Sequence, residues 1–230
     1  MSQTEDIRSE CEAFIDSLRP QLEQADPEKH AAHSRRVGAL TERFYRLWIA
    51  ENDPESVTLD EDAILIGAAA SLHDIGKCRI EADLLSNQGD LTDDQYARVK
   101  YHTIASIDIL VDGSALSVLA AEIALNHHEK WDGSGYPGYD TDCPDGLVTN
   151  SEGKKGEEIP FAARLTAIVD VYDALLSPRS YKKAWEEDEA FDYIVSNKGS
   201  HFDPDLIELF VKHHEELLAL RTELVANEQG

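Results

Sequence analysis

A histidine and an aspartate stand side by side as His73 and Asp74, in the string SLHDIGK. An imidazole nitrogen beside a carboxylate offers a mixed ligand set that suits a borderline divalent metal ion. The dipeptide alone is a weak signal, because it occurs often by chance. The helical pattern places other metal-ligating side chains on or beside apolar faces, namely His33, His102, His127, His128 and Asp170. Because imidazoles are costly to bury unpaired, five histidines and two aspartates on core-facing helices together predict a dinuclear metal site.

Any one of these histidines alone would be better explained as a core residue with a hydrogen-bond partner or as a surface group, and only the joint pattern favours metal binding. Four other histidines are interpreted as structural or surface residues. His213 and His214 lie in a Lys/Glu-rich stretch and are expected to be solvated. His30 and His201 complete that group.

Helix signals dominate the chain and predict an all-α fold. Thr92 and Gln95 have the spacing of a capping box. Further helices are predicted after Ser114, from Pro160 to Leu176 and after Asp203-Pro204. No alternating strand pattern of useful length is present. Residues 81–90 and 132–158 are predicted to be irregular, and a loop as long as the second is usually functional or disordered.

The bulk composition indicates a globular protein with an acidic surface. The chain has 230 residues, 42% of them apolar, and a formal net charge of −25. No apolar run reaches the roughly 18 residues of a membrane span, and the first residues lack the pattern of a signal peptide. A cytoplasmic protein is therefore expected, with no membrane partner. So acidic a surface repels duplex nucleic acid, and a site for an anionic substrate must be locally positive.

Six strings of the sequence resemble motifs of the HD-GYP family of HD-domain phosphohydrolases and occur in that family's order: HSRRV, HDIGK, HHEKWDGSGYP, EEIPFAARL, DVYDALLSPRSYKKAW and SHFDPDLIELF. The resemblance covers roughly residues 28 to 212. It implies an HD-domain helical bundle with extra C-terminal helices and a long GYP loop. Residues 1–25 would form an N-terminal helical extension, and residues 26–225 the phosphohydrolase domain.

The resemblance implies a ligand set for two divalent transition-metal ions, with iron or manganese favoured. One ion would be held by His33, His73, Asp74 and Asp170. Asp74 would bridge to the second ion, whose ligand set is completed by His102, His127 and His128. A hydroxide between the ions would be the nucleophile, since two cations lower the pKa of a shared water and neutralise charge on a phosphodiester.

The same resemblance implies roles for residues around the metals. Lys77 would contact a phosphate oxygen, and Asp173 would hold Lys77 or assist proton transfer. Tyr136 offers a flat face for a base. Arg179 and Lys182 offer charge for the phosphates.

Three positions depart from the family pattern. Lys29 stands where some members carry a glutamate that binds a third metal, so a third metal is not expected. Residues 138–156 are longer than the usual link and form either a lid or a solvated loop. Ser180 replaces a proline beside Arg179.

The expected function is hydrolysis of cyclic di-GMP to linear pGpG, and further cleavage to GMP is left open. Two alternatives stay open: a phosphohydrolase of another nucleotide such as cyclic GMP-AMP, and a non-catalytic module that binds a cyclic dinucleotide or a protein. A regulatory protein partner and a homodimer are also left open.

Overall fold

The computed structural model describes residues 3–25, 31–55, 59–87, 89–143, 145–148, 152–178 and 183–228. Across these ranges the secondary structure is helical, and the only strand-like pairing is an isolated bridge between Lys198 and Phe202. The predicted all-α fold is therefore confirmed.

The α-helices are, in chain order, α1 Gln3–Ser17, α2 Arg19–Ala25, α3 Ala31–Asn52, α4 Leu59–Ala70, α5 Ala82–Leu85, α6 Asp93–Lys100, α7 His102–Ala105, α8 Ala115–Asn126, α9 Phe161–Leu175, α10 Glu187–Ser196 and α11 Pro204–Glu228. Two 3₁₀-helices, Ile75–Arg79 and Gly156–Glu158, lie between α4 and α5 and before α9.

Local capping explains several helix starts. The capping box before α6 forms as predicted: the Gln95 N–H donates to Thr92 Oγ1 at 3.3 Å, and the Thr92 N–H donates to Gln95 Oε1 at 2.9 Å. Ser114 caps α8 by accepting the Ser117 N–H. The Asp203 carboxylate accepts the Asp205 N–H at the start of α11. Each contact satisfies a backbone donor that a helix N-terminus would otherwise leave unpaired.

The core lies where α3 and α9 meet α4, α8 and α11. Its largest fully buried side chains include Phe44, Leu72, Ile123, Ile168 and Tyr172. The two helices that carry predicted metal ligands His33 and Asp170 therefore belong to the rigid centre of the bundle. Rigid elements hold functional side chains more precisely than loops do.

The N-terminal helices pack on this bundle. Helix α1 lies against α4, and α2 lies against the 3₁₀-helix Ile75–Arg79. Cys11 and Leu18 are buried, and Phe14 and Ile15 are partly buried against the core. The boundary between an extension and a domain at residue 25 stays a prediction.

Two local expectations were wrong. The 81–90 linker contains the short helix α5. His214 is buried and its Nε2 lies 2.7 Å from the Tyr172 hydroxyl, so it is not solvated. His213 is partly exposed, pairs with Glu51 at 2.6 Å and interrupts α11 with a non-helical backbone conformation. Among the described residues, no helix combines the length and apolar character that crossing a membrane requires.

Candidate metal centre

His73 and Asp74 lie in the turns that join α4 to the 3₁₀-helix Ile75–Arg79. Gly76 lets this segment approach α7 closely, because a Cβ at this position would lie 1.9 Å from the His102 carbonyl oxygen. Any other residue would force the two segments apart. The close approach places Asp74 Oδ1 3.4 Å from His102 Nε2.

Three of the cluster histidines share the same orienting hydrogen bond. In His73, His102 and His127 the Nδ1–H donates to the carbonyl oxygen three residues earlier, at 2.7–2.9 Å. This bond fixes the tautomer and leaves Nε2 with a free lone pair. Metal-ligating histidines are commonly oriented by a hydrogen bond from their other ring nitrogen.

The free nitrogens of these three histidines converge on one carboxylate. The Nε2 atoms of His73, His102 and His127 and the Oδ1 atom of Asp74 are all buried and have no hydrogen-bond partner. A buried polar atom left unpaired costs about 1–3 kcal/mol, so four together would be strongly unfavourable without a common ligand. Lone pairs on nitrogen and on a carboxylate oxygen fit a divalent transition-metal ion.

The structure brings all seven predicted ligands into one cluster. Groups whose donor atoms all lie within 4.8 Å of one another are Asp74 with His102, His127 and His128; His33 with His73 and Asp74; and His73 with His127 and Asp170. Asp74 occurs in two of these groups, as the bridging role predicted for it requires. The geometry can therefore accommodate two cations side by side.

His33 is held between two carboxylates of α9. Its Nδ1 lies 2.7 Å from Asp173 Oδ2 and its Nε2 lies 3.0 Å from Asp170 Oδ1. Burial disfavours the charged ring, but these two hydrogen bonds outweigh burial and raise the pKa of His33 to about 9. Asp170 and Asp173, three residues apart on α9, thus contact the same histidine.

Asp173 is fully buried behind His33 and is surrounded by cations. Arg36 contacts both of its oxygens at 2.9 Å, and Arg221 of α11 contacts Oδ1 at 2.7 Å. Burial raises the pKa of Asp173, but the contacts with His33 and the two arginines lower it well below its usual range. Arg36 also reaches Glu228 at 2.7 Å. Asp173 therefore orients His33 from behind.

The expected contact between Lys77 and Asp173 is not formed. Lys77 Nζ pairs instead with Asp74 Oδ2, and it is 28% exposed while Asp173 is 0% exposed. Lys77 lies in the 3₁₀-helix Ile75–Arg79, where its partner is Asp74 three residues earlier. Asp173 contacts His33 instead, and Lys77 is partly exposed beside the cluster.

Burial keeps the imidazoles of His102, His127 and His128 neutral. It lowers the pKa of His102 to about 4 and that of His127 to about 3, and lowers that of His128 well below its usual value. The pKa of Asp74 is lowered despite burial, chiefly by Lys77 and then by His73. Neutral imidazoles and ionised carboxylates are the protonation states that bind metal.

The loop after His128 is organised by Glu129, which the sequence reasoning did not single out. Its buried carboxylate accepts the Gly138 N–H at 2.6 Å and the Lys154 N–H at 2.9 Å, so it joins the two ends of the long loop. At Gly135 a Cβ would lie 2.3 Å from the Lys130 nitrogen, so the chain can fold back only with glycine there. Val148 adds a backbone hydrogen bond to Ala97 of α6. In the described part of 138–156, these contacts tie the segment to the bundle.

An aromatic and basic group lies against His128. The Tyr136 ring stacks on His128 with 4.9 Å between centroids. Tyr96 lies 6.3 Å from Tyr136, and Lys100 Nζ lies over both rings. Tyr96 is 47% exposed. Tyr96 and Lys100 were missed, although their spacing of four residues on α6, the helix before His102, was a usable signal.

Comparison with known protein families identifies the family of this helical bundle. The HD-domain model matches residues 31–175, and a second HD-domain model matches residues 145–206. This chain belongs to the HD-domain family.

Relatives of this HD-domain chain include three bacterial phosphodiesterases. The 3'3'-cGAMP-specific phosphodiesterase 2 of Vibrio cholerae is 34% identical over 95% of the chain and 38% of the relative. A cyclic di-GMP phosphodiesterase of Thermotoga maritima is 35% identical over 93% of the chain and 53% of the relative. A cyclic di-GMP phosphodiesterase of V. cholerae is 39% identical over 68% of the chain and 30% of the relative. The expected membership of the HD-GYP group is confirmed, and the chain spans about half or less of these relatives' lengths.

Some predicted site residues of this HD-domain chain lie outside the residues that the structure describes. They are Arg179 and Lys182, expected to contact substrate, together with Ser180 beside them and Lys29 in the third-metal register. Their roles stay predictions.

Proposed function

We propose that this chain is a metal-dependent phosphodiesterase that opens cyclic di-GMP to linear pGpG. The observation that carries the proposal is the convergence of three unpaired, buried histidine Nε2 atoms on the carboxylate of Asp74, whose Oδ1 is also unpaired. With bound cations, such a centre lowers the pKa of a water to give a nucleophile and neutralises charge on the phosphodiester. Iron or manganese suits the histidine-rich donor set, and His33, His73, His102, His127, His128, Asp74 and Asp170 would hold two ions.

The surrounding residues supply what a dinucleotide needs in addition to metal. Lys77 lies beside Asp74 and is partly exposed, so its ammonium can pair with a phosphate oxygen. Tyr136 and Tyr96 present aromatic rings for a base, and Lys100 adds positive charge at both rings. These cations create locally positive surface in a chain whose net charge is −25. Arg179 and Lys182 are proposed to add further phosphate contacts.

The reaction is proposed to stop mainly at pGpG. A second cleavage requires the linear product to rebind with its new terminal phosphate near the metals, and a third cation would help to hold that charge. Lys29 stands in the register of the third-metal carboxylate, and an ammonium cannot be a ligand. Accumulation of pGpG with slow release of GMP is therefore expected.

A second candidate substrate is 3'3'-cyclic GMP-AMP. It is favoured by the relative that covers 95% of the chain, which is named for that specificity. The two substrates share the phosphodiester chemistry and differ in one base. A non-catalytic binding module is the third possibility, and the complete set of seven clustered ligand candidates argues against it.

The test is incubation of chelator-treated protein with cyclic di-GMP or 3'3'-cyclic GMP-AMP after reloading with manganese, or with iron without oxygen. Products are separated by chromatography over time. The expected result is metal-dependent appearance of the linear dinucleotide, absent in Asp74→Ala. If metal-loaded protein cleaves neither substrate, the proposal is wrong. GMP forming as fast as pGpG would overturn only the proposed stopping point.

A further inference from the structure

A cleft of about 200 Å³ opens directly beside the candidate metal centre. Asp74 and Lys77 line its inner end. Its outer walls come from helices α2 and α3, including Arg19 and Arg35. The N-terminal helices therefore form part of a cavity that is continuous with the reactive centre.

The two arginines of the cleft differ in their pairing. Arg19 is paired with Asp16, so a neighbouring carboxylate offsets its charge. Arg35 is exposed and has no ion-pair partner among the described residues. The lining of the cleft holds three cations, Arg19, Arg35 and Lys77, and three carboxylates, Asp16, Glu23 and Asp74. Asp16 pairs with Arg19 and Asp74 pairs with Lys77. Arg35, two residues after His33, is therefore the guanidinium of the cleft that is available to a ligand.

The remaining walls suit a nucleoside. Ile15 and Leu22 provide apolar surface, while Ser34 and Ser71 provide hydroxyl groups. Ligand sites commonly combine an apolar lining with a few polar groups that fix orientation. The volume lies below the roughly 300–1,000 Å³ of a pocket that encloses a whole drug-sized ligand, so the cleft holds part of a larger molecule whose other part lies at the metals.

We propose that this cleft binds the second phosphate and the adjoining nucleoside of the cyclic dinucleotide, and that Arg35 is a specificity-determining residue for that phosphate. The inference rests on the proposed function. A cyclic dinucleotide has two phosphodiesters, and only one can lie at the reactive centre in a given turnover. The other needs a nearby cation, and Arg35, which has no ion-pair partner among the described residues, lines the same cavity as Lys77. The guanidinium fork matches phosphate oxygens in two hydrogen bonds.

The test compares two substrates of different reach. Bis(p-nitrophenyl) phosphate is a small phosphodiester that needs only the metal centre, whereas cyclic di-GMP extends into the cleft. Arg35→Gln is expected to raise the KM for cyclic di-GMP roughly tenfold or more, the loss expected for a charge-assisted contact. Its kcat for cyclic di-GMP is expected to stay near wild type, since uniform binding is lost. Hydrolysis of bis(p-nitrophenyl) phosphate is expected to be unchanged.

Arg43→Gln is the matched control. Arg43 lies on the same helix as Arg35 but outside the cleft, where it pairs with Glu216 on the surface. The Arg43→Gln substitution removes the same charge and is expected to leave the KM for cyclic di-GMP and the KM for bis(p-nitrophenyl) phosphate unchanged. Arg35→Lys is expected to recover most of the affinity. Leu22→Glu, which adds a negative charge to the cleft, is expected to raise the KM for cyclic di-GMP as Arg35→Gln does.

The outcomes separate the two proposals. If wild-type protein cleaves neither substrate, the proposed function fails and the assignment of the cleft fails with it. If wild-type protein cleaves cyclic di-GMP and both cleft variants keep the wild-type KM, the cleft inference alone is overturned. It is also overturned if Arg35→Gln slows both substrates equally, because Arg35 would then act on the metal centre.

Discussion

Asp173→Asn tests whether the buried carboxylate behind His33 sets metal affinity. The substitution preserves the shape of the side chain and removes its charge. The His33 Nδ1–H would then donate to a neutral amide at best, so the ring would be a weaker and less firmly oriented ligand. Loss of such an outer carboxylate typically reduces metal affinity 10–100-fold. That loss corresponds to about 1.4–2.7 kcal/mol, since each 1.36 kcal/mol is a factor of ten.

The same change also costs folding stability. Removing one partner of a buried ion pair typically costs about 3–5 kcal/mol. The lower end is expected here, because Arg36 keeps Glu228 at 2.7 Å and Arg221 keeps Ser177 Oγ at 3.0 Å. Urea unfolding of the metal-free protein measures this loss of folding stability separately from metal binding.

The assay is a calorimetric titration of chelator-treated, folded protein with Mn²⁺. Ser177→Ala is the matched control, because it removes the 3.3 Å contact with Asp173 and the contacts of the hydroxyl with Arg36 and Arg221 but leaves the charge of Asp173 in place. It should bind Mn²⁺ within about twofold of wild type, well below the roughly 10–100-fold loss expected when an outer carboxylate is removed. If folded Asp173→Asn bound Mn²⁺ as tightly as wild type, Asp173 would not orient His33 for metal and the reasoning would be refuted.

Three further predictions follow from the site. Asp74→Ala should lose both ions in elemental analysis, because Asp74 belongs to two ligand groups. His128→Ala should weaken the binding of mainly one ion. Two retained ions in Asp74→Ala would contradict the bridging role. Lys77→Ala should keep its metal and lower turnover of cyclic di-GMP about a hundredfold, the effect of losing about 3 kcal/mol of charge stabilisation in the transition state; a wild-type rate would show that Lys77 does not act on the phosphate. Burial, and then the charge of Lys130, lowers the pKa of His201 to about 4, below its unfolded value of about 6.5. The contribution of His201 to folding stability is therefore complete above pH 6.5 and is lost as the pH falls toward 4. Wild type should lose up to about 2 kcal/mol of unfolding free energy between pH 7.5 and 5 because of His201. In urea unfolding, His201→Gln should not show this loss, and an unaltered pH dependence would contradict the lowered pKa of His201.

The helical fold and the membership of the cluster could be predicted because they rest on local signals. Capping residues fixed the starts of α6, α8 and α11. Each predicted ligand lies in a short motif, and the motifs resemble a known family. The structure then brought the ligand candidates together as that resemblance implied.

The supporting contacts could not be predicted in the same way, because they join distant segments. Asp173 meets Arg36 across 137 positions and Arg221 across 48. No local spacing marks such a pair. The expected contact of Lys77 with Asp173 also joined distant segments, and in the structure Lys77 pairs with Asp74, only three residues away. The burial of His214 depends on Tyr172, a partner 42 residues away that composition does not reveal.

The pairing of Arg221 with Asp173 has a consequence during synthesis of the chain. All seven ligand candidates lie at or before Asp170, so a nascent chain carries them before Arg221 has been made. Until α11 docks, Asp173 has only Arg36 as its arginine partner, and the imidazole of His33 lacks its complete support. Tight metal capture should therefore come late, after translation has passed Arg221, which would keep an unfinished chain from trapping whichever ion it meets first at the ribosome.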